Sequence, residues 1–239
     1  PQKEKKTRDP AAQEKRTQKR EKSIGEGLDQ LELWLSDIIR TGLGSSQLES
    51  PGFWESQAAR LVDYQAPGLA SRLRAMATIP GSKKDWPATM LEKLGRLALA
   101  VQAYRRLDEL PQGLQADVRQ IVGWTYSQEE VAASGERVRD NWVVVGQVEE
   151  HFEKLRGQRT WIVGETTGKR AYVLQFAPAK MPFGEIYLPG TCHSEEIVYW
   201  PGEYPMRAKF TEKREAAHSF KGKLSGHDTF DSFLDSVSL

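Results

Sequence analysis

The sequence predicts an α+β protein, with an N-terminal block of antiparallel helices followed by a small antiparallel β-sheet or partly open barrel. Apolar residues recur at three- and four-residue spacings as far as about residue 135, a period typical of amphipathic helices. Beyond that point the chain holds short runs rich in Val, Ile and aromatic residues, each bounded by Gly or Pro, which indicate strands. The connections between the helical runs are short, and short connections favour antiparallel neighbours.

These patterns divide the chain into four segments. The first is a basic lead-in, predicted as either a solvated helix or a disordered arm, because it holds good helix formers without an apolar stripe. A helical domain, a small β domain and a polar tail follow, and an apolar spacing of three to four residues from Phe230 predicts a short C-terminal helix in that tail. The predicted segments are 1–24, 25–135, 136–210 and 211–239.

Start and stop signals support the helices of the helical domain. Ser50 and Pro51 supply an N-cap and a first-turn proline, and Ser127 with Glu130 forms a capping box. The apolar stripes of the successive helices are Leu28, Leu31, Leu35, Ile38 and Ile39; Trp54, Ala58, Leu61 and Val62; Leu69, Leu73 and Met76; Leu91, Leu94, Ala98, Val101 and Leu107; and Leu114, Val118, Ile121 and Val122.

Five strands are predicted in the β domain, at 142–148, 159–163, 170–176, 197–200 and 206–210. A tight polar turn around Thr167 and Gly168 joins the second strand to the third and predicts a hairpin. The seven tryptophans of the chain mostly fall on apolar stripes or strands. We therefore expect most of them to pack in the core, with one or two left to anchor an interface.

Composition excludes several classes of protein. The chain has 239 residues, of which 38% are hydrophobic and 28% charged, as is usual for globular domains. The longest apolar runs fall far short of the roughly 20 residues of a membrane helix, and the polar, basic start is unlike a secretory signal. Because Cys192 is the single cysteine, no internal disulfide can form, and the cytoplasm is the expected location. The first residue is Pro1, so we expect a processed or excised segment.

Two motifs resemble functional sites but are better explained otherwise. The segment from Gly164 to Arg170 resembles a phosphate-binding loop, yet it has three residues between its glycines, an Arg after the Lys and a strand behind it, so a hairpin turn is predicted. Cys192 and His193 are adjacent donors, but structural zinc needs four. The sequence therefore predicts neither a catalytic residue nor a metal ligand in this chain.

Charge is concentrated at the start of the chain. Residues 1–22 hold nine Lys or Arg against four acids, whereas the remainder is mildly acidic. A helical lead-in would let its bases contact phosphates, and a solvated, charge-mixed linker is the alternative. The candidate nucleic-acid-binding residues are Lys15, Arg16, Lys19, Arg20 and Lys22.

Six stretches of the chain resemble the region that follows the zinc finger in bacterial SWIM-type zinc finger proteins. They are DPAAQEKRTQKREKSIGEGLDQLELWLSDIIRTGL (9–43), LVDYQAPGLASRLR (61–74), DWPATMLEKLGRLALAVQAYRRLDELPQGLQADVRQIVGW (85–124), RDNWVVVGQ (139–147), QRTWIVG (158–164) and YWPGEYPMRA (199–208). The finger motif of that family is Cys-x-Cys followed, after a spacer, by Cys-x-His, and one cysteine cannot supply it. The resemblance implies that the finger, and with it any zinc, lies upstream of Pro1.

The resemblance also implies a role in interaction. In that family the finger is thought to bind nucleic acid or protein partners, and the genes often accompany AAA-type ATPases. We therefore expect a non-catalytic scaffold that positions an upstream finger and binds a partner protein, which an AAA-type ATPase system could provide. A nucleic-acid-binding module using the basic lead-in is the alternative, and an enzyme with a cleft between the two blocks is the least favoured. No membrane or small-molecule partner is expected, and no cofactor within this chain.

Overall fold

The computed structural model describes residues 10–82, 84–151, 155–211, 216–224 and 226–237. The first nine residues of the predicted basic lead-in and part of the predicted polar tail therefore lie outside the described residues. The chain forms two compact units, Pro1–Thr125 and Tyr126–Leu239, each with a core of its own. No helix in the described part of the chain is both long and apolar enough to cross a membrane.

The first unit is helical. Proline opens α2 and α3 at the first turn, where its missing N–H costs nothing, and short 3-10 helices precede α2 and α5. The helices are α1 (Pro10–Thr41), α2 (Pro51–Asp63), α3 (Pro67–Met76), α4 (Trp86–Arg105) and α5 (Gln112–Val122), with 3-10 helices at Ser46–Glu49 and Leu107–Glu109.

Helix α1 runs without a break through residue 24, where the sequence placed the end of the basic lead-in. Residues 10–24 are therefore helical, and they belong to the same helix as the apolar stripe that follows. No Pro or Gly interrupts the chain between Ala11 and Ile24, and Ile24 already contributes a buried side chain. The buried stripe of α1 consists of Ile24, Leu28, Leu31, Leu35 and Ile38.

The core of the helical unit is centred on Trp54, which is fully buried. Its indole N–H donates to the carbonyl of Leu48 over 2.8 Å, so the polar atom of the ring is satisfied inside the core. The rings of Trp34 and Phe53 pack around it, with centroids 5.6 and 5.7 Å from that of Trp54. Of the seven tryptophans, Trp54, Trp142 and Trp200 are buried and the other four are half-buried.

The second unit contains six described strands and two helices. Helix α6 begins with the predicted capping box, because the Ser127 side chain accepts from the Glu130 amide and the Glu130 carboxylate accepts from the Ser127 amide. The elements are α6 (Gln128–Ser134), β1 (Arg137–His151), β2 (Leu155–Gly164), β3 (Arg170–Pro178), β4 (Thr191–Tyr199), β5 (Arg207–Phe210), β6 (His218–Ser219) and α7 (Phe230–Val237).

Five of these strands close into a ring. The order is β1-β2-β3-β5-β4, and β4 pairs back onto β1, so that the long strand β1 belongs to both ends of the sheet. All pairs are antiparallel except β3 with β5, which is parallel. The prediction of a small sheet or partly open barrel is confirmed in outline, but the sheet is mixed. Antiparallel pairing reverses direction at each step, so a closed ring of five strands needs at least one parallel pair.

The boundary between the units falls between Thr125 and Tyr126, whereas the sequence pattern placed the end of the helical domain at residue 135. Helix α6 accounts for the difference. Its Val131 is fully buried and packs against Val198 and Trp200 at the end of β4. A helical period therefore persists for ten residues into the unit that contains the strands.

Candidate functional site

The five basic residues predicted to contact nucleic acid all lie on the first half of α1. Lys15, Lys19 and Lys22 are exposed and follow one another at spacings of four and three residues, which places them on one face of the helix. Arg16 is also exposed, whereas Arg20 is half-buried. The structure thus brings three lysines together on one face, with Arg16 beside Lys19, and separates only Arg20 from them.

Arg20 has a structural role. Its Nη2 donates to the carbonyl oxygen of Gly123 over 3.1 Å, and its guanidinium carbon lies 4.2 Å from the centroid of the Trp124 ring. Gly123 is the C-cap of α5, so the cation stands at the negative end of that helix. These contacts hold α1 against the end of α5 and direct the guanidinium toward the protein.

Cys192 and His193 point to opposite sides of β4, because successive side chains alternate along a strand. Burial raises the pKa of the Cys192 thiol, which disfavours the reactive thiolate. His193 lies against the rings of Tyr187 and Phe210, and burial, together with the nearby His218, lowers its pKa. Across the described residues, no three His, Cys, Asp or Glu side chains lie where they could hold a metal ion.

The segment from Gly164 to Arg170 forms the turn of the β2–β3 hairpin, as predicted. The carboxylate of Asp140 accepts hydrogen bonds from the amides of Thr166 (3.1 Å) and Thr167 (2.8 Å) and from the Thr167 hydroxyl (2.6 Å). Burial opposes ionisation of Asp140, but these hydrogen bonds outweigh burial and lower its pKa. The amides of Thr166 and Thr167 are therefore occupied by a carboxylate of the protein itself, and those of Gly164, Glu165 and Gly168 donate to backbone carbonyls.

An apolar groove of about 590 Å³ lies between α3, α4 and α5. Leu97 and Met76 are buried at its base, whereas Leu99 at its edge is 70% exposed, so the groove is open to solvent. A helix that leaves leucine exposed beside such a groove presents an apolar surface of the kind that proteins use for binding. The apolar lining consists of Ala75, Met76, Ile79, Leu97, Leu99, Ala100, Ala103, Val118 and Ile121.

The charged side chains that line this groove, within the described residues, are three bases. Arg72 donates through Nη1 to the carbonyl oxygens of Gly68 and Ile121, each over 3.1 Å, and is thereby held across the ends of α3 and α5. Lys93 and Arg96 extend from α4. Glu92 pairs with Arg96 over 2.8 Å and with Lys93 over 3.7 Å, so three bases at the rim stand against one acid.

Sequence reasoning did not find this groove. Leu91, which the pattern assigned to the apolar stripe of the longest helix, is 54% exposed, and Leu99 is not part of that stripe. The available signal was Leu99, an apolar residue of α4 outside the single stripe that a bundle helix buries. A helix with more apolar surface than its neighbours can cover is a sign of a binding face.

Comparison with protein families gives a match at residues 19–122, to the SWIM-associated four-helix bundle domain. The match begins within α1 and ends at the last residue of α5, so it includes all three helices of the groove. It confirms the resemblance to SWIM-type zinc finger proteins over the helical unit, a little under half of the chain. Comparisons with curated proteins and with solved structures found no match.

Proposed function

We propose that this chain is a non-catalytic interaction region of a SWIM-type zinc finger protein, and that its helical unit docks a partner protein in the groove between α3, α4 and α5. The groove carries the proposal, because it combines an exposed leucine with an apolar base inside the segment that is similar to the SWIM-associated bundle. Zinc belongs, on this proposal, to a finger outside the chain. The chain would position that finger and act in the cytoplasm.

The occupant that suits the groove is an amphipathic helix with acidic flanks. Helix-in-groove recognition uses apolar anchors at spacings of three and four residues, and the apolar lining of the groove offers the complementary surface. The bases Arg72, Lys93 and Arg96 favour carboxylates beside those anchors. A component of an AAA-type ATPase system that exposes such a helix would be a suitable partner.

The test uses two synthetic helical peptides with identical leucine spacing, one flanked by Glu and the other by Lys. We expect the acidic peptide to bind the full chain more tightly, as measured by fluorescence anisotropy. Leu99→Asp removes an apolar contact and adds repulsion, so it should weaken binding of the acidic peptide roughly tenfold or more. Because Leu99 is 70% exposed, the substitution should leave the free energy of unfolding nearly unchanged.

Leu33→Asp is the matched control, since Leu33 is 62% exposed on α1 and does not line the groove. It should bind the acidic peptide as the unsubstituted chain does. The proposal fails if the two peptides bind equally, or if the substitutions at Leu33 and Leu99 weaken binding to the same degree.

A second candidate function is nucleic-acid binding by α1. The exposed face of Lys15, Lys19 and Lys22 favours it, because three cations on one helix face can contact successive phosphates. Such binding would be independent of sequence and would weaken steeply with salt. The triple substitution of these lysines by glutamine removes that face, and it serves as a comparison in the experiment below.

A further inference from the structure

The outer face of the β ring has a row of side chains that the groove and α1 do not involve. In the strand register, Gly146 of β1 lies beside Trp161 of β2, Trp161 lies beside Tyr172 of β3, and Tyr172 lies beside Arg207 of β5. The pairing shift between Val144 and Gly146 skips Val145, so that a glycine, which has no side chain, lies beside Trp161. Two aromatic rings therefore stand side by side on the outside of the ring.

An arginine lies over both rings. The guanidinium carbon of Arg159 is 5.2 Å from the centroid of Tyr172 and 5.9 Å from that of Trp161, and the two rings are themselves 5.2 Å apart. A second arginine, Arg207, stacks on Trp200 at 4.2 Å. Cations and aromatic rings thus alternate across neighbouring strands, within the range of cation–π attraction.

The same face is open to solvent. Val148, which pairs with Arg159, is 51% exposed. Phe176 lies four positions along β3 from Tyr172, and therefore on the same face, and it is 56% exposed. A side chain built on Gly146 would meet no atom within 4 Å, so the space next to Trp161 is free. The outer side of β4 is different, because Val131 of α6 covers Val198 there.

The β4–β5 loop extends this face. Tyr204 in that loop is 88% exposed, and it lines a hollow of about 420 Å³ whose charged lining is Arg170 at the start of β3, Lys169 before it, and the acids Glu136 and Glu203. Lys169 pairs with Glu136, whereas Arg170 is exposed. A further aromatic ring and a further cation therefore lie at the end of the row.

We propose that this face, formed by β2, β3 and the β4–β5 loop, binds single-stranded nucleic acid. Unpaired bases would stack on Trp161, Tyr172 and Phe176, while Arg159 and Arg170 contact the phosphates. Stacking on aromatic side chains between cations is the chemistry by which proteins hold single strands, and duplex bases cannot take part in it because they are already stacked.

Charge and architecture both favour this ligand over an apolar protein surface. The second unit is acid-rich in sequence, yet Arg159, Arg170 and Arg207 gather on this face, where Glu150 lies 4.0 Å from Arg159. Small five-stranded barrels of the OB-fold type bind oligonucleotides on the face of strands 2 and 3 and on the adjoining loops. Architecture alone assigns no function, so the ligand class is inferred from the side chains.

The experiment measures binding of the full chain to labelled single-stranded DNA and RNA of about 15 nucleotides, and to a duplex of the same length, by fluorescence anisotropy. We expect either single strand to bind more tightly than the duplex. Trp161→Ala and Tyr172→Ala should each weaken single-strand binding roughly tenfold. Arg159→Gln should also weaken single-strand binding. When affinity is measured between about 50 and about 200 mM salt, the slope of log affinity against log salt should be shallower by about one, as expected for one lost phosphate contact.

Three further variants separate this site from a loss of folding and from α1. Phe176→Ala changes an exposed ring and should weaken binding without lowering the melting temperature, and Trp161→Phe should retain most of the binding. Arg139→Gln is the matched control, because Arg139 is exposed on the part of β1 that pairs with β4. Substitution of Lys15, Lys19 and Lys22 by glutamine should leave the preference for single strands intact.

The proposal is overturned if neither single strand binds at about 50 mM salt. It is also overturned if the Trp161, Tyr172 and Phe176 variants bind as the unsubstituted chain does. Equal binding of duplex and single strand, lost in the triple lysine variant, would assign nucleic-acid binding to α1 instead. None of these results affects the peptide test of the groove, which uses different residues and a different ligand.

Discussion

His193 is buried in the interior of the β ring in its neutral form, and this makes stability depend on pH. Its exposed fraction is 4%, and burial, with the nearby His218, lowers its pKa below the ordinary 6.5. Above about pH 6.5 the ring is neutral in both the folded and the unfolded chain, so it adds no pH dependence. Below that pH the unfolded chain takes up a proton that the folded chain does not, so the free energy of unfolding falls.

We expect His193→Gln to reduce this loss of stability between about pH 7 and about pH 5.5, measured by urea unfolding at each pH. His151→Gln is the control, since His151 is exposed at the end of β1. An unchanged pH dependence in the His193 variant would show that other groups cause it.

Some single-residue contacts could be predicted from the sequence and others could not. The turn around Thr167 and Gly168 was predictable, because its chemistry is local. The role of Asp140 was not, since this carboxylate reaches a turn 26 and 27 residues away only after β1 and β2 have paired. The same holds for Arg20, whose partner Gly123 is 103 residues distant. In the sequence Arg20 was a candidate nucleic-acid-binding residue, and no role was predicted for Asp140.

At the level of elements, α3 and α5 approach each other through a pair of glycines. A Cβ placed on Gly68 would lie 2.4 Å from the carbonyl oxygen of Ile121 and 2.8 Å from the amide nitrogen of Gly123. Gly123 itself has a φ of 115°, a conformation that side chains strongly disfavour. Backbone therefore meets backbone at this point, and neither partner can move aside without displacing a helix end.

We predict that Gly68→Ala lowers the free energy of unfolding by roughly 2 kcal/mol or more, because the added methyl group overpacks this contact. Gly95→Ala is the matched control, since Gly95 lies inside α4 with no atom near its would-be side chain. It should raise the free energy of unfolding by roughly 0.5–1 kcal/mol through helix propensity. Urea unfolding followed by circular dichroism measures both, and a tolerated Gly68→Ala would contradict the close approach.

Element types were largely predictable because their signals are local and redundant. First-turn prolines, the capping box at Ser127 and the apolar stripes each indicate a helix independently. The solvent exposure of apolar side chains was less predictable, because the spacing of apolar residues on a helix does not show whether a neighbouring helix covers them. Leu91 and Leu99 on α4 belong to this case, and the groove was missed for that reason.

For the whole molecule, the order of strands is what the sequence could not supply. The five predicted strands correspond to β1 to β5, yet their pairing depends on contacts between strands distant in the chain. Tyr172 lies beside Arg207 only because β5 inserts between β3 and β4. The candidate site on this face therefore arises from topology and has no continuous motif.

The boundary between the units gives a prediction about which fragment folds. Each unit has its own core, so residues 1–125 and residues 126–239, expressed separately, should each unfold cooperatively. A fragment that starts at residue 136, where the sequence pattern placed the boundary, lacks α6 and leaves Val198 and Trp200 without Val131. Loss of that buried contact should lower the free energy of unfolding by roughly 2 kcal/mol relative to fragment 126–239. Thermal and urea unfolding of the two fragments decide the matter, and equal stability would mean that α6 is dispensable to the β ring.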